Sequence, residues 1–415
     1  MARVLITGMG AISPLGVGRH QTFSAALNGE CAIGPAGEDI AKWLPHVLTA
    51  PVKVDPLSLL SDKHAGLDRA SQFALVAANE ALAEAGMTPQ PEDARRIGVY
   101  VGIGFGGAST VDALYTRLQT TLQQGRSPTV VHPLSVPRMM SNAAAALVSM
   151  QYGLRGPSNT YSVACASSAV AIGEAFRAIR DGYLDAAVVI GTEAMLTGGA
   201  MLAWNALRVM AKPDPADVAR SCKPFAQDRS GFVLGEGAAA MVLESESRAR
   251  QRGAAGIAEV AGYGCSSDAA HLTAPSSEEQ VVAMQQALSQ AGLSADEVQY
   301  LNAHGTATDA GDVVETQSIR AVFGDAADAL AVSSTKSMHG HLIGASGILE
   351  FLISVMAMEQ GALPPTATLD RADPRCDLDY IAREARRGVE VSAVMSNSFA
   401  FGGSNASLLA RRYQP

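Results

Sequence analysis

Tyr161-Ser-Val-Ala-Cys-Ala-Ser-Ser168 sets a thiol, Cys165, at the junction between an extended run, 159–164, and an amphipathic run, 166–180. The second run carries Ala169, Ile172, Phe176 and Ile179 on one face, with Arg177, Arg180 and Asp181 off it. That spacing predicts a helix, with Gly182 to end it. A cysteine at a helix N-terminus feels unpaired N–H groups and the positive end of the helix dipole, and both favour thiolate, the nucleophilic form. A free cysteine is also one of the most commonly buried residues. The segment alone supports a nucleophile and a core residue equally.

The pattern of a short apolar strand followed by a helical stretch recurs along the chain. Strands are expected at 4–7, 97–102 and 186–190, an alanine-rich helix at 69–85 and an apolar helix at 348–358. The alternation predicts an α/β layered fold around a central sheet. Arg3-Val-Leu-Ile-Thr-Gly-Met-Gly10 is echoed by Ile257-Ala-Glu-Val-Ala-Gly-Tyr-Gly264, and 186–191 by 298–303. Two related α/β units joined near 244–256 are therefore expected. The run Gly8-Met-Gly10 nearly matches a dinucleotide-binding loop, but its third glycine is missing. The region around Glu30 also does not look like the strand that would present a ribose-binding acid.

Composition excludes several classes. At 415 residues, 48% hydrophobic and 17% charged, the chain has enough apolar surface for a large core and does not look disordered. A net charge of −9 with no long basic run argues against nucleic acid as a partner. The five cysteines (Cys31, Cys165, Cys222, Cys265 and Cys376) include no C-x-x-C pair. Neither a disulfide framework nor a zinc site is expected, and a reducing cytoplasm is. No secretory signal and no apolar window of membrane-spanning length is read from the sequence.

Three further segments bear chemistry. Leu301-Asn-Ala-His304-Gly-Thr-Ala-Thr308 puts a histidine at a strand end. Ser334-Thr-Lys336-Ser-Met-His-Gly-His341 puts a lysine and a histidine around a turn. Asn397-Ser-Phe399-Ala-Phe401-Gly-Gly-Ser-Asn405 is a glycine-rich turn with two aromatics. Each taken alone is more often structural: a hydrogen-bonded histidine, a solvated lysine, a packed turn. Together they place a cysteine, two histidines and a lysine in small-residue turns after strands, where α/β sheets collect functional groups.

On these segments, with Gly231-Phe-Val-Leu-Gly-Glu-Gly237 and Ser266-Ser-Asp-Ala-Ala-His271, the chain resembles the β-ketoacyl-acyl carrier protein synthases of type II from about Arg3 to about Arg412. The resemblance implies a thiolase fold, two halves (1–250 and 251–415) forming a five-layered αβαβα sandwich. It implies a decarboxylative condensation of malonyl-acyl carrier protein with an acyl group held as a thioester on Cys165. His304, His341 and Lys336 complete the catalytic set, backbone N–H groups of Cys165 and Phe401 form the oxyanion hole, and Glu350 pairs with Lys336. Phe401 and Phe399 gate the site and Phe105 lines the acyl pocket. A structural monovalent cation belongs near Asn302, Glu350, Ser396 and Asn397. No catalytic metal or organic cofactor is implied, since substrates ride on the phosphopantetheine of the carrier protein. The implied partners are that carrier protein and a second subunit, either identical or a chain-length-factor homologue, with no nucleic acid or membrane.

The chain departs from the family pattern in four places. Ala400 replaces a glycine, which adds strain if the position needs a positive φ. His339 replaces a threonine and is read as a bystander. Phe105 is larger than usual, which points to short or unusual acyl primers. In the carrier-docking segment Ser61-Asp-Lys-His-Ala-Gly-Leu67 only Lys63 is basic, leaving Arg138, Arg208 and Lys212 to steer an acidic partner. A dedicated polyketide or polyene ketosynthase is therefore the alternative to fatty acid elongation. A catalytically dead chain-length partner would lack Cys165, and a degradative thiolase would carry a second cysteine near 399–405, where there is none.

Overall fold

The computed structural model describes residues 2–88, 92–127 and 131–415. Eleven strands form one continuous path: β1 (Val4–Ser13), β2 (Ile97–Gly102), β3 (Ser158–Tyr161), β4 (Ala186–Glu193), β5 (Gly237–Ser245), β6 (Ala258–Ser267), β7 (Tyr300–Asn302), β8 (Ala331–Ser333), β9 (Asp379–Tyr380), β10 (Ala393–Phe399) and β11 (Ser404–Arg411). Their order is β9-β8-β7-β10-β11-β6-β1-β5-β4-β2-β3, with Gly16–Val17 pairing β1 off the path. The path is a duplication read outward from its middle. On one side β1–β5–β4 pair antiparallel and β4–β2–β3 parallel; on the other β6–β11–β10 pair antiparallel and β10–β7–β8 parallel. The halves meet where β1 pairs antiparallel with β6, Val4 opposite Val260. Helix Glu246–Gln251 connects β5 to β6.

Helices α1 (Arg69–Glu84), α2 (Ser167–Arg180), α3 (Ser277–Ala291), α4 (Asp309–Phe323) and α5 (Ser346–Gln360) supply the other layers. Residues of α2 and α5 share one buried cluster with inward faces of both half-sheets. The outer face of one half packs on α1, and that of the other on α3 and α4. Layers of helix, sheet, helix, sheet and helix result, as the resemblance implied.

The Gly-x-Gly echo has a physical basis. A Cβ at Gly8 or Gly10 would run into the carbonyls of Ala81 or Ala77 on α1, and one at Gly262 or Gly264 into those of Ala287 or Ala283 on α3. The glycines let each helix lie directly on its strand. Glu84 and Glu80 then accept from Met9 N (2.7 Å) and Ala11 N (2.9 Å); Gln290 and Gln286 accept from Tyr263 N (2.8 Å) and Cys265 N (3.0 Å). Gly8 and Gly10 sit inside β1, not in a strand-to-helix turn, so no phosphate-binding loop is formed there.

Most expected elements are present, with shifted ends. Strand β1 runs to Ser13 and β4 to Glu193, beyond the expected 4–7 and 186–190. Strand β3 ends at Tyr161, before the expected 164, and a 3-10 turn, Ala164–Ala166, precedes α2. Gly182 lies just past α2 at φ +80°. The segment Ile343–Gln360 is long and apolar enough to cross a membrane, which corrects the sequence reading. Ser346–Met358 is buried throughout, however, because α5 packs between the two halves of the sheet and carries apolar residues on every side.

Candidate active site

Cys165 lies in the turn Ala164–Ala166, entered through Ala164 at φ +48°, a left-handed conformation that alanine resists. Ser167 braces the turn by donating to the Ala164 carbonyl (2.6 Å) and accepting from Val163 N (2.9 Å). The helix proper starts two residues after Cys165, and the thiol is buried. Burial pushes its pKa up to about 12, against the charge of Lys336 and the backbone N–H groups of Phe401 and of Cys165 itself. The resting group is a thiol. The helix terminus by itself favours thiolate, and desolvation outweighs it.

His341 is held by its backbone N–H to the Val233 carbonyl (2.7 Å), and its Nε2 stands 3.0 Å from Cys165 Sγ. Nδ1 accepts from Ile343 N (3.3 Å) and lies 2.8 Å from Ser346 Oγ, whose own acceptor side takes Leu342 N (2.9 Å). The acceptor role of Nδ1 assigns the ring proton to Nε2, facing the sulfur. His304 follows β7, its ring 5.4 Å from that of His341 and 6.2 Å from that of Phe399. Glu315 on α4 fixes the turn by accepting from His304 N (2.8 Å) and Gly305 N (2.7 Å). Burial, and after it the Lys336 charge, lowers both imidazoles well below the usual histidine range, so both are neutral.

Lys336 and Glu350 are wholly buried, with Nζ 2.5 Å from Oε1. Burial pushes the Glu350 carboxyl up to about 7 and Lys336 pulls it back. The ammonium is the positive charge that acts on Cys165, His304 and His341 alike. Asn302 Oδ1, Ser396 Oγ and Glu350 Oε2 are buried with no hydrogen-bond partner among the described residues, while Glu350 Oε1 is taken by Lys336. These hard oxygens fit a monovalent cation. The Asn397 side chain is engaged elsewhere, accepting from Ser407 Oγ (2.8 Å) and donating to Glu315 (3.4 Å).

Cys165, His304 and His341 bring their ligand atoms within 4.8 Å of one another, a set that also suits zinc. A tetrahedral zinc would hold sulfur and nitrogen about 3.5 Å apart. The 3.0 Å Sγ–Nε2 contact is hydrogen bonding instead.

A cavity of about 270 Å³ reaches these three residues, lined by Thr306, Thr308, Phe399 and Phe401, with the exposed Leu207 and Leu272 also on its wall. Phe401 stacks on Trp204 (centroids 6.3 Å apart), Trp204 stands edge-on to Phe232, and Phe232 edge-on to His341. Phe105 is not in this cavity. It lies 56% exposed in a second, apolar groove of about 520 Å³ with Tyr115, Met195 and Trp204, bounded by Ala164 and Ile343. Ala400 is not among the residues at positive φ; Gly402 and Gly403 make the turn, so the expected strain is absent. His339 is buried with Nε2 3.0 Å from Thr335 Oγ1, away from the cavity. Lys63, Arg208 and Lys212 are exposed, whereas Arg138 is half-buried beside Gly66. Glu315, Ser346, Trp204 and Glu193 were not singled out by sequence; Glu315 sits eleven residues after His304 with no motif to mark it.

The comparisons with known proteins agree with this geometry. The family model for the β-ketoacyl synthase N-terminal domain matches residues 1–249, and that for the C-terminal domain residues 257–370. The chain is 39% identical to 3-oxoacyl-[acyl-carrier-protein] synthase 2 of Staphylococcus aureus (strain COL), with 99% of each chain covered. It is 41% identical to nodulation protein E of Rhizobium sp. (strain N33), again with 99% of each covered. Among solved structures, a β-ketoacyl synthase from Burkholderia phymatum STM815 superposes with TM-score 0.89 at 36% identity over all of both chains. A type II polyketide ketosynthase complex with its acyl-carrier protein, AntDE:AntF, gives TM-score 0.91 at 27% identity, also over all of both chains. The chain belongs to the β-ketoacyl synthase family of acyl-transferring condensing enzymes.

Proposed function

We propose that the protein is a β-ketoacyl-acyl carrier protein synthase that elongates fatty acyl chains, with Cys165 as the acyl carrier. The observation that carries this reading is the convergence of Cys165, His341 and His304 at the end of one cavity. In the first half-reaction Cys165 sulfur bonds to the acyl carbon of an incoming thioester. The carbon–sulfur bond to the pantetheine thiol breaks, and the Cys165 proton ends on that leaving thiol. The negative charge on the carbonyl oxygen meets the N–H groups of Cys165 and Phe401, the two groups that already act on Sγ.

In the second half-reaction a malonyl thioester loses its carboxylate as carbon dioxide. The electron pair of the broken bond is held as an enolate, whose oxygen takes hydrogen bonds from His341 Nε2–H and from His304. Neutral imidazoles suit this, since they donate without a counter-charge to displace. The α-carbon then bonds to the acyl carbon, the Cys165 thioester breaks, and the Cys165 thiolate so released takes a proton from water. Lys336 holds the positive potential over the three groups and is positioned by Glu350. A monovalent cation, when bound at Asn302, Glu350 and Ser396, would supply fixed charge beneath the site.

A carrier protein as substrate donor and a dimeric assembly are supported by the solved relatives, which include a ketosynthase with its carrier protein and a ketosynthase/chain length factor. The edge strand β3 and the exposed Phe105 and Tyr115 give such an assembly a surface to cover. A condensation assay with malonyl-carrier protein and acyl donors of graded length tests the reading. Formation of β-ketoacyl product is expected; decarboxylation without carbon–carbon bond formation for every donor would refute it.

A further inference from the structure

Glu193 closes β4, is wholly buried, and is itself on the wall of neither cavity. Its carboxylate takes three backbone N–H groups from two separate segments. Gly104 N (2.8 Å) and Phe105 N (3.2 Å) come from the loop after β2, and Gly344 N (3.0 Å) from the turn between His341 and α5. The packing leaves no slack. A Cβ at Gly104 would come within 2.6 Å of Glu193 Oε2, and one at Gly344 would strike the backbone nitrogen of Gly104.

The turn Ile343–Ala345 repeats the turn Ala164–Ala166. Each opens on a non-glycine residue at positive φ, Ile343 at +46° and Ala164 at +48°. Each is followed by a serine whose oxygen accepts the N–H two residues before the second turn position, Leu342 to Ser346 and Val163 to Ser167, both at 2.9 Å. Gly344 therefore corresponds to Cys165. In one half the N–H of that position acts on the reactive sulfur; in the other it is stoppered by Glu193.

The Phe105 groove adjoins the nucleophile, since Cys165 packs in one apolar cluster with Ala108, Met195 and Ile343 of its lining. Resting on the acyl-carrying role proposed for Cys165, we infer that this groove takes the acyl chain and that Glu193 is a positioning residue that fixes its Phe105-bearing wall to the turn beside His341, and so sets which acyl lengths the groove accepts. Only a carboxylate can serve all three donors with two oxygens. A glutamine in its place keeps the shape but turns one oxygen into a donor, which must oppose one of the two segments. Burial raises the Glu193 carboxyl and the three N–H donors lower it; all three contacts are donors to its oxygens, which is the arrangement that the ionised form fits.

Steady-state kinetics of wild type and Glu193→Gln with two-carbon and sixteen-carbon acyl-carrier-protein donors, at fixed malonyl-carrier protein, test this. The expected result is a fall of at least about threefold in the sixteen- to two-carbon KM ratio, with the kcat ratio of the two donors unchanged. Phe105→Ala should produce the same shift, and Glu193→Gln should add nothing to it in the double variant. An unchanged KM ratio, or additive effects in the double variant, would overturn the inference. Should Glu193→Gln not fold, Glu193→Asp keeps the charge but withdraws it by about one bond length, ~1.5 Å. It should shift the KM ratio likewise, and an unshifted ratio there overturns the inference. Acylation of Cys165, read by intact mass with either donor, is scored separately. A fully acylated enzyme with an unshifted ratio therefore sinks the role of Glu193 and leaves the condensing activity standing.

Discussion

Replacing Lys336 with methionine removes the partner of Glu350 while keeping a side chain of similar length in a site with no solvent exposure. Truncating one member of a buried pair costs about 3–5 kcal/mol, because the other is left uncompensated. Glu350, already raised to about 7 by burial, can take up a proton, which places the loss near the lower figure. For 415 residues at about 2.1 cal/mol/K each, the unfolding entropy is about 0.9 kcal/mol/K, so a loss of ~3 kcal/mol lowers the melting temperature by ~3 °C. The same substitution removes a charge that, after burial, depresses His304 and His341. Their pKa values then move up toward the ordinary 6.5. Decarboxylation that needs neutral imidazoles falls as pH drops through those values. Its acid limb therefore lies well below 6.5 in wild type and shifts upward in the variant. Calorimetry and malonyl decarboxylation rates from pH 5 to 8 read both effects. The double variant Lys336→Met/Glu350→Leu should recover part of the lost stability, since no buried charge is stranded. An acid limb that does not move, or a double variant as unstable as the two single variants summed, would refute the electrostatic account.

Alanine at Gly8 or at Gly262 should destabilise by about 1–3 kcal/mol each, through the clash with α1 or α3, and urea titration should give similar losses for the two. Alkylation of Cys165 by a neutral reagent should keep accelerating above pH 9, since burial holds the thiol near 12; a plateau below pH 8 would show a thiolate instead. Phe401→Ala removes the ring stacked on Trp204. The emission of Trp204 should change, while that of Trp43, 64% exposed and outside the site, stays constant.

The chemical residues were legible because their local settings are distinctive: Cys165 and His304 each stand in a small-residue turn after a strand, and His341 follows Gly340 at the end of the short helix Lys336–His339. The duplication was legible through Gly8–Gly10 and Gly262–Gly264, since close helix packing excludes a side chain at both places. Glu193 and Glu315 were not, because a buried carboxylate serving backbone N–H groups leaves no local pattern; its partners lie in other segments. The ionisation of Cys165 was not legible from its segment, since burial is a tertiary property and here outweighs the helix terminus. Phe105 was placed on the acyl pocket by resemblance; folding puts it in an apolar groove that adjoins Cys165 through Ala164, Met195 and Ile343 and is distinct from the cavity lined by the two histidines. The apolar length of α5 was overlooked as a span, and only its neighbours show that burial between the two halves of the sheet accounts for it.

The central claim is that Cys165 carries the acyl chain between the two half-reactions. Intact-mass and peptide-mass measurement after mixing the enzyme with an acyl-carrier protein, before and after addition of malonyl-carrier protein, tests it directly. One acyl group should appear on the peptide containing Cys165, disappear when malonyl-carrier protein is added, and be recovered in a β-ketoacyl product; Cys165→Ala should show neither adduct nor product. Condensation by Cys165→Ala, or an adduct on another residue that is consumed at the catalytic rate, would contradict the account.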